Sequence, residues 1–175
     1  VPKAGVTYTE GAYDNTLAVS RDGRYYRTKG DVDTYTLSKK KVSYQWAPFA
    51  EVRITTDIYP FGQWHVRCHD IETTLAVEIR EGGFSVPLIG RTPFVEMGDG
   101  WCLVTEGPYC SHIVCITGYD TAAVISPEAN TSLFFPRTSF PYLSATLSPG
   151  KHRLICLVGG LYTAERKETV CLLSN

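Results

Sequence analysis

The sequence predicts an all-β protein, a single domain built as a sandwich of antiparallel strands, and three observations lead to this prediction. Short runs of β-branched and aromatic residues recur between turn signals, which is the pattern of a sandwich or barrel. No segment shows the sustained 3.6-residue apolar repeat of a helix. Aromatic residues make up 12% of the chain, and strands favour them. The 175 residues fit one domain over 1–175 that is long enough to bury a core.

The predicted strands follow one another with turns between them. Asp22-Gly23 separates the first two runs as a hairpin turn. Residues 51–59 alternate apolar and polar side chains, as a strand with one buried face does. Further turns are expected at Pro60-Phe61-Gly62, Glu81-Gly82-Gly83, Gly118-Tyr119-Asp120 and Ser148-Pro149-Gly150. Strands are predicted at 17–20, 24–27, 42–46, 51–59, 64–72, 75–80, 101–105, 111–117, 122–125, 142–147, 151–158 and 168–173.

Segment 127–141 departs from this strand pattern. Its three prolines would interrupt a ladder, so we expect an ordered surface loop. Asn130 and Arg137 are its candidate binding residues, and Arg137 lies near Phe135 and Phe140 in the sequence. A guanidinium among rings can bind a uronate carboxylate or stack on a ring. It can equally hold the loop in place by donating to carbonyl groups.

The charge balance excludes some classes of partner. The formal net charge is −1, so no strong field would attract nucleic acid or an anionic membrane. The short basic run Lys39-Lys40-Lys41 is typical of a solvated turn. No apolar stretch is long enough to span a bilayer. Because the chain begins at Val1, we expect a piece or a processed product of a longer protein.

The six cysteines permit up to three disulfide bonds, but most of them lie in apolar strand-like runs. Buried Cys behaves as a small hydrophobic residue, and no Cys pair has metal-ligand spacing. We therefore predict free thiols, with Cys102–Cys110 as the pair best placed to be an exception. Free thiols favour a reducing, cytoplasmic location. The glycosylation sequon at Asn130-Thr131-Ser132 favours secretion instead.

The segment from Trp64 to His69 is the most suggestive motif. In a strand, His65, Arg67 and His69 share one face, and we expect Trp64, Val66 and Cys68 to pack inward. The polar face could make cross-strand pairs at the surface or contact a sugar or an acid. A shared metal ion is excluded, because His65 and His69 would lie about 13 Å apart along a strand. We predict no metal and no cofactor.

The segment from Thr9 to Asn15 places two carboxylates, Glu10 and Asp14, near the ring of Tyr13. A glycosidase needs two carboxyl groups that flank the scissile bond. Such a stretch is also typical of a turn whose side chains satisfy local backbone groups. The chain shows no nucleophile elbow, phosphate loop, dinucleotide fingerprint or zinc signature.

Three stretches together resemble one known family. They are V-P-K-A-G-V-T-Y-T-E-G-A-Y-D-N-T-L at the start, G-Q-W-H-V-R-C-H with E-G-G-F-S-V-P after it, and P-E-A-N-T-S-L-F-F-P-R-T. They are similar to the C-terminal β-domain of a bacterial and fungal family catalogued as a domain of unknown function. Full members carry an N-terminal α/α-barrel, are distantly similar to heparinase II/III-type lyases, and include β-glucuronidase-type glycoside hydrolases.

The resemblance covers nearly the whole chain, and it implies that the α/α-barrel is a missing partner domain or chain. It further implies that the motif residues face that partner or its cleft as substrate or interface contacts. These residues are Glu10, Tyr13, Asp14, Trp64, His65, Arg67, His69, Asn130 and Arg137.

Three functions remain open. The first is an accessory domain of a uronic-acid-active glycoside hydrolase, inactive alone, with a carbohydrate as its ligand. The second is a free-standing carbohydrate-binding or lectin-like module that uses exposed rings such as Trp46, Trp64, Tyr13 and Tyr109. The third is a structural or interaction domain without a ligand. A barrel-sized chain that copurifies with the natural protein would favour the first.

Overall fold

The architecture is an all-β sandwich of two antiparallel sheets, as predicted. The computed structural model describes residues 6–8, 16–27, 33–84, 86–87, 93–125 and 138–162. Within these residues there are fifteen strands. They are β1 Val6–Tyr8, β2 Leu17–Arg21, β3 Arg24–Arg27, β4 Thr34–Leu37, β5 Val42–Phe49, β6 Val52–Phe61, β7 Trp64–Thr73, β8 Val77–Gly82, β9 Val86–Pro87, β10 Phe94–Gly98, β11 Trp101–Glu106, β12 Tyr109–Thr117, β13 Thr121–Ile125, β14 Thr138–Leu147 and β15 Gly150–Tyr162.

The strands form one sheet of eight and one of seven. The larger sheet has the order β10-β11-β12-β15-β7-β6-β5-β4. The smaller has the order β1-β3-β2-β8-β14-β13, with β9 paired to β14. Since β7 lies in the larger sheet and β8 in the smaller, residues 74–76 form a short connection from one sheet to the other.

Two apolar clusters fill the space between the sheets. One contains Trp46, Ile54 and Ile79, all buried, and the other contains Ile113, Leu143 and Val158. In each cluster, residues of the eight-stranded sheet pack against residues of the seven-stranded sheet, which is how sandwich cores are built. Burial of this apolar surface is the main stabilising contribution to the fold.

Local turn chemistry agrees with the sequence at the first hairpin. Asp22 has φ 54° and Gly23 has φ 73°, which are the left-handed conformations that a two-residue hairpin turn requires. Pro48 does not end its strand, because β5 continues to Phe49 with a register shift between Trp46 and Phe49. A bulge accommodates the missing N–H of a proline.

Several predicted boundaries need correction. Glu81 and Gly82 were expected in a turn but lie in β8, where Glu81 pairs with both Leu17 and Leu143. Residues 138–141 of the expected loop belong to β14, which also pairs with β9. The short strands β1, β4, β9 and β10 were not predicted. The rest of that loop and the predicted strand 168–173 lie outside the described residues.

Most of the cysteine prediction can be compared with the structure. Cys68, Cys102, Cys115 and Cys156 are free thiols. The suggested exception, Cys102–Cys110, is wrong: Cys102 pairs across the ladder with Ile113 and Cys110 with Thr105, so the two side chains point to opposite faces of the sheet. Cys171 lies outside the described residues.

Candidate functional site

Strand β7 carries a polar row into the interior of the sandwich. His65, Arg67 and His69 lie on one face, as the alternation predicts, but that face points inward. Arg67 is 3% exposed and His69 is buried, while Trp64 is on the opposite, outer face. The expectation that Trp64, Val66 and Cys68 pack inward is therefore wrong. The physical reason is that a charge can face inward when a partner is present.

The partner is Glu81, which projects from β8 in the other sheet. Arg67 Nη1 donates to Glu81 Oε1 and, at 3.2 Å, to the carbonyl oxygen of Gly82. Glu81 is 0% exposed. The ion pair thus joins the two sheets across the core.

His69 extends this contact toward β6. Its Nε2 lies 2.8 Å from Glu81 Oε2, although neither atom makes a hydrogen bond of good geometry. Its Nδ1 lies 2.9 Å from the hydroxyl of buried Thr56. Contact with a carboxylate oxygen requires a proton on Nε2, since two acceptors would repel each other. The phenol of Tyr44 also hydrogen-bonds with Thr56.

His65 completes the row near the edge of the cluster. Arg67 Nε donates to His65 Nε2 over 2.8 Å, so this nitrogen is an acceptor and the ring proton is on Nδ1. Burial, together with the Arg67 charge, lowers the pKa of His65 to about 4. His65 is therefore neutral at physiological pH, and its tautomer is set by Arg67.

Electrostatics keep the central pair ionised. Burial acts to raise the pKa of Glu81, but the charge and hydrogen bond of Arg67, together with the contact with His69, outweigh it, so the pKa is lowered. Burial likewise acts to lower the pKa of Arg67, but attraction to Glu81 outweighs it, so the pKa is raised. Glu81 is consequently a carboxylate at neutral pH and is not a proton donor.

A small cavity of about 100 Å³ opens beside this cluster. It is smaller than the pockets of roughly 300–1,000 Å³ that enclose small-molecule ligands, so it does not enclose a sugar. Thr16 forms part of its wall and directly follows the segment that contains Glu10, Tyr13 and Asp14. The lining residues are Thr16, Leu17, Tyr44, Trp46, Ile58, His65, Arg67, His69 and Glu81.

Five of the nine predicted site residues lie outside the described part of the chain: Glu10, Tyr13, Asp14, Asn130 and Arg137. Of the other four, the cavity brings together His65, Arg67 and His69, and Trp64 is separate from it.

Trp64 contacts a second buried histidine instead. The centroids of the Trp64 and His112 rings are 3.6 Å apart. The glycine at position 159, which pairs with both residues, leaves room for this contact: a Cβ there would lie 2.1 Å from His112 Nε2. His112 is 0% exposed, neither ring nitrogen has a hydrogen-bond partner, and burial lowers its pKa to about 3.

Sequence reasoning missed the residue that organises the cluster. Val77, Ile79 and Glu81 alternate on one face of β8, so a carboxylate occupies an apolar position in the pattern. This signal indicates a buried charge with a partner elsewhere. Trp46 is also corrected: it was suggested as an exposed ring but is 2% exposed and belongs to the core.

The outer face of the larger sheet carries an open groove of about 390 Å³. Arg53, Glu72 and Lys151 are opposite one another across three strands there. Arg153 donates to both carboxylate oxygens of Asp70, at 2.7 and 2.9 Å. The groove therefore carries charges of both signs in nearly equal number.

Two further findings concern the described residues alone. Nowhere among them do three His, Cys, Asp or Glu side chains gather as a metal-binding group. The same part of the chain contains no helix with the length and apolarity to cross a membrane.

Solved structures with a similar fold include carbohydrate-active proteins. The heparan sulfate lyase HepC of Pedobacter heparinus superposes with a TM-score of 0.52 at 7% identity, over 75% of this chain and 21% of the lyase. A heparinase III superposes with a TM-score of 0.51 at 9% identity, over 85% of this chain and 23% of that one. The chain therefore spans about a fifth of the length of these lyases.

A third similar structure is a protein assigned as an aldose 1-epimerase from Escherichia coli K12. It has a TM-score of 0.51 at 7% identity, over 83% of this chain and 79% of that chain. At such identities the likeness concerns the fold alone.

The sequence comparisons give the family. No curated protein sequence matches the chain. The family model described as the DUF2264 C-terminal domain matches residues 1–93, more than half of the 175 residues, and the chain therefore belongs to the DUF2264 family.

Proposed function

We propose that this chain is an accessory β-sandwich domain of a carbohydrate-active enzyme of the uronic-acid-active glycoside hydrolase type, and that it is not catalytic alone. Its family and its fold likeness to domains of heparan sulfate lyases support the carbohydrate assignment. One observation carries the non-catalytic role: Glu81, the carboxylate at the cavity, is engaged by Arg67 and His69.

The chemistry of glycoside hydrolysis supports this role. Hydrolysis needs one protonated carboxyl group as an acid and a second carboxylate as base or nucleophile. Glu81 has a lowered pKa and is buried, whereas a general acid needs a raised one. His65 is neutral, and its Nε2 already accepts a hydrogen bond from Arg67, so this nitrogen is not available as a base. The acid and the base would therefore come from the partner domain.

The proposal gives the ion pair a positioning role. Arg67 orients His65 from within the core, and His65 lies at the cavity beside Thr16. The contacts with sugar or with an α/α-barrel partner would come from His65 and from the neighbouring segment that contains Glu10, Tyr13 and Asp14. Asn130 and Arg137 belong to the same proposed surface.

An activity assay tests the proposal. The isolated chain should not hydrolyse aryl glucuronides, and adding a barrel-type partner should restore turnover. Glu51→Gln is a matched control, because Glu51 is ion-paired with Arg21 and does not line the cavity. Turnover by the isolated chain that Glu10→Gln abolishes and Glu51→Gln does not would make this chain an enzyme and overturn the accessory role.

A carbohydrate-binding module is the second candidate, and the β6–β7 hairpin favours it. Phe61 is 72% exposed and Tyr59 is 38% exposed, and both share the outer face with Trp64, which is opposite Phe61. Adjacent rings on an open sheet face can stack against the apolar face of a sugar.

Substitution of an exposed ring tests this candidate. Phe61→Ala should weaken oligosaccharide binding about fivefold, the scale of one aromatic contact of about 1 kcal/mol. Phe94→Ala is the control, since Phe94 is an exposed Phe on β10, an edge strand of the same sheet. Binding affinities are measured by titration calorimetry. Equal losses of affinity in the two variants would show that the β6–β7 hairpin is not the sugar-binding surface.

A further inference from the structure

Strands β12 and β15 place two free cysteines directly opposite each other. Cys115 is paired with Cys156 in the antiparallel ladder, so both side chains are on the same face of the sheet. Neither takes part in a disulfide.

Directly opposite residues in an antiparallel ladder are either hydrogen-bonded to each other or not, and the backbone hydrogen bond of Cys115 shows that Cys115 and Cys156 are a non-hydrogen-bonded pair. Its backbone N–H donates to the carbonyl oxygen of Gly100, at 2.6 Å, on the side of β11. The N–H of Cys115 therefore points away from β15 and makes no ladder bond to that strand, just before the register shift between Cys115 and Thr117. In such non-hydrogen-bonded pairs the Cα atoms are about 4.5 Å apart and the side chains are close. This spacing is within the range that a disulfide bond spans, about 4.4–6.8 Å.

Tyr119 contacts both thiols. The Cys115 thiol donates to the Tyr119 carbonyl oxygen, and the Tyr119 hydroxyl donates to Cys156 Sγ, each over 3.9 Å. Burial raises the pKa of Cys156 well above its ordinary value, and the nearby Cys115 adds to this effect. Both sulfur atoms therefore lie next to Tyr119 on the same face of the sheet.

We propose that Cys115 and Cys156 form a reversible disulfide bond when the protein meets a disulfide oxidant such as glutathione disulfide. Cys115 is partly exposed and Cys156 is 0% exposed, so Cys115 reacts first. Its thiolate attacks one sulfur of glutathione disulfide and releases one glutathione thiolate, which leaves a mixed disulfide on Cys115.

The second step closes the bond. Cys156 gives its proton to the released thiolate and attacks Cys115 Sγ, and the second glutathione leaves. Two protein thiols are oxidised and one glutathione disulfide is reduced to two glutathione molecules. Cys156 is directly opposite Arg67 on β7, so the modification takes place one strand away from the buried ion pair.

Peptide mapping tests this assignment in the intact chain. Reduced protein is treated with glutathione disulfide at mildly alkaline pH, and the remaining thiols are alkylated. Before alkylation, we expect the mass of the oxidised protein to be lower than that of the reduced protein by two hydrogens. A tryptic peptide spanning 154–166 should be joined to the one spanning 92–137, with fragmentation locating the bond at Cys115. Dithiothreitol should reverse the change.

Single substitutions separate the two steps. Cys156→Ser should accumulate a glutathione adduct on Cys115, whereas Cys115→Ser should give neither the adduct at that site nor the internal bond. Cys68→Ser is the matched control: Cys68 is a partly buried cysteine on the outer face of β7, and its loss should leave the bond unchanged. Three outcomes with the wild-type protein would overturn the proposal: both thiols stay free, the reaction stops at the glutathione adduct, or another pair of cysteines forms the bond. Because these outcomes are measured on the wild-type protein, they do not depend on whether a variant folds.

Discussion

Replacement of Arg67 by Ala should destabilise the protein strongly. It would leave the carboxylate of Glu81 buried between the sheets without its cation. Removing one partner of a buried ion pair typically costs about 3–5 kcal/mol. For a domain of this size, 1 kcal/mol corresponds to roughly 2–4 °C in Tm. We therefore expect Tm to fall by roughly 6–20 °C.

Thermal and urea unfolding, monitored by circular dichroism at pH 7, measure this effect. Arg153→Ala is the matched control, because Arg153 makes a bidentate ion pair with Asp70 on the same sheet but at the surface. Exposed ion pairs contribute little to stability, so this variant should unfold close to wild type. The double variant Arg67→Met/Glu81→Leu should recover most of the lost stability, because it replaces both charges by apolar side chains.

Two results would refute this reasoning. One is an Arg67→Ala variant that is as stable as Arg153→Ala. The other is an Arg67→Ala variant that keeps the wild-type Tm but loses binding of an acidic sugar more than tenfold, which would make Arg67 a direct uronate ligand.

Three further predictions concern His65, His112 and the cavity. Gly159→Ala should lower Tm, because its Cβ would collide with His112 Nε2. The loss of Tm should largely disappear when His112 is also replaced by Ala. An equal loss of Tm with and without His112 would show that this collision is not its cause. The pKa values of His65 and His112 are lowered to about 4 and about 3, so the unfolded state binds protons below about pH 6.5 while the folded state does not. The free energy of unfolding, measured in urea, should therefore fall as pH decreases from 6.5 to 4.5, and His112→Leu should flatten the profile. His65→Ala should lower Tm moderately, because it removes the acceptor of the Arg67 Nε hydrogen bond, and it should also reduce turnover in a complex with the barrel-type partner; a loss of Tm with unchanged turnover would show that His65 has only a structural role.

The sequence by itself determined the fold class and the periodicity of the strands. Alternation in residues 51–59 and the Asp22-Gly23 turn depend on the period of two and on the left-handed backbone conformation, which are local properties. For the same reason the sequence predicted that His65, Arg67 and His69 share a face.

Only the tertiary structure decided which way that face points. A strand of mixed polar and apolar residues can bury either face, and the choice depends on what the opposing sheet presents. Glu81, fourteen residues from Arg67, presents a carboxylate at the matching position in the opposing sheet, and the ion pair makes the inward orientation stable. The contact between Trp64 and His112 also depends on the tertiary structure. It needs a glycine on the strand between them, and only the assembled sheet sets the register of β7, β15 and β12 that places Gly159 there.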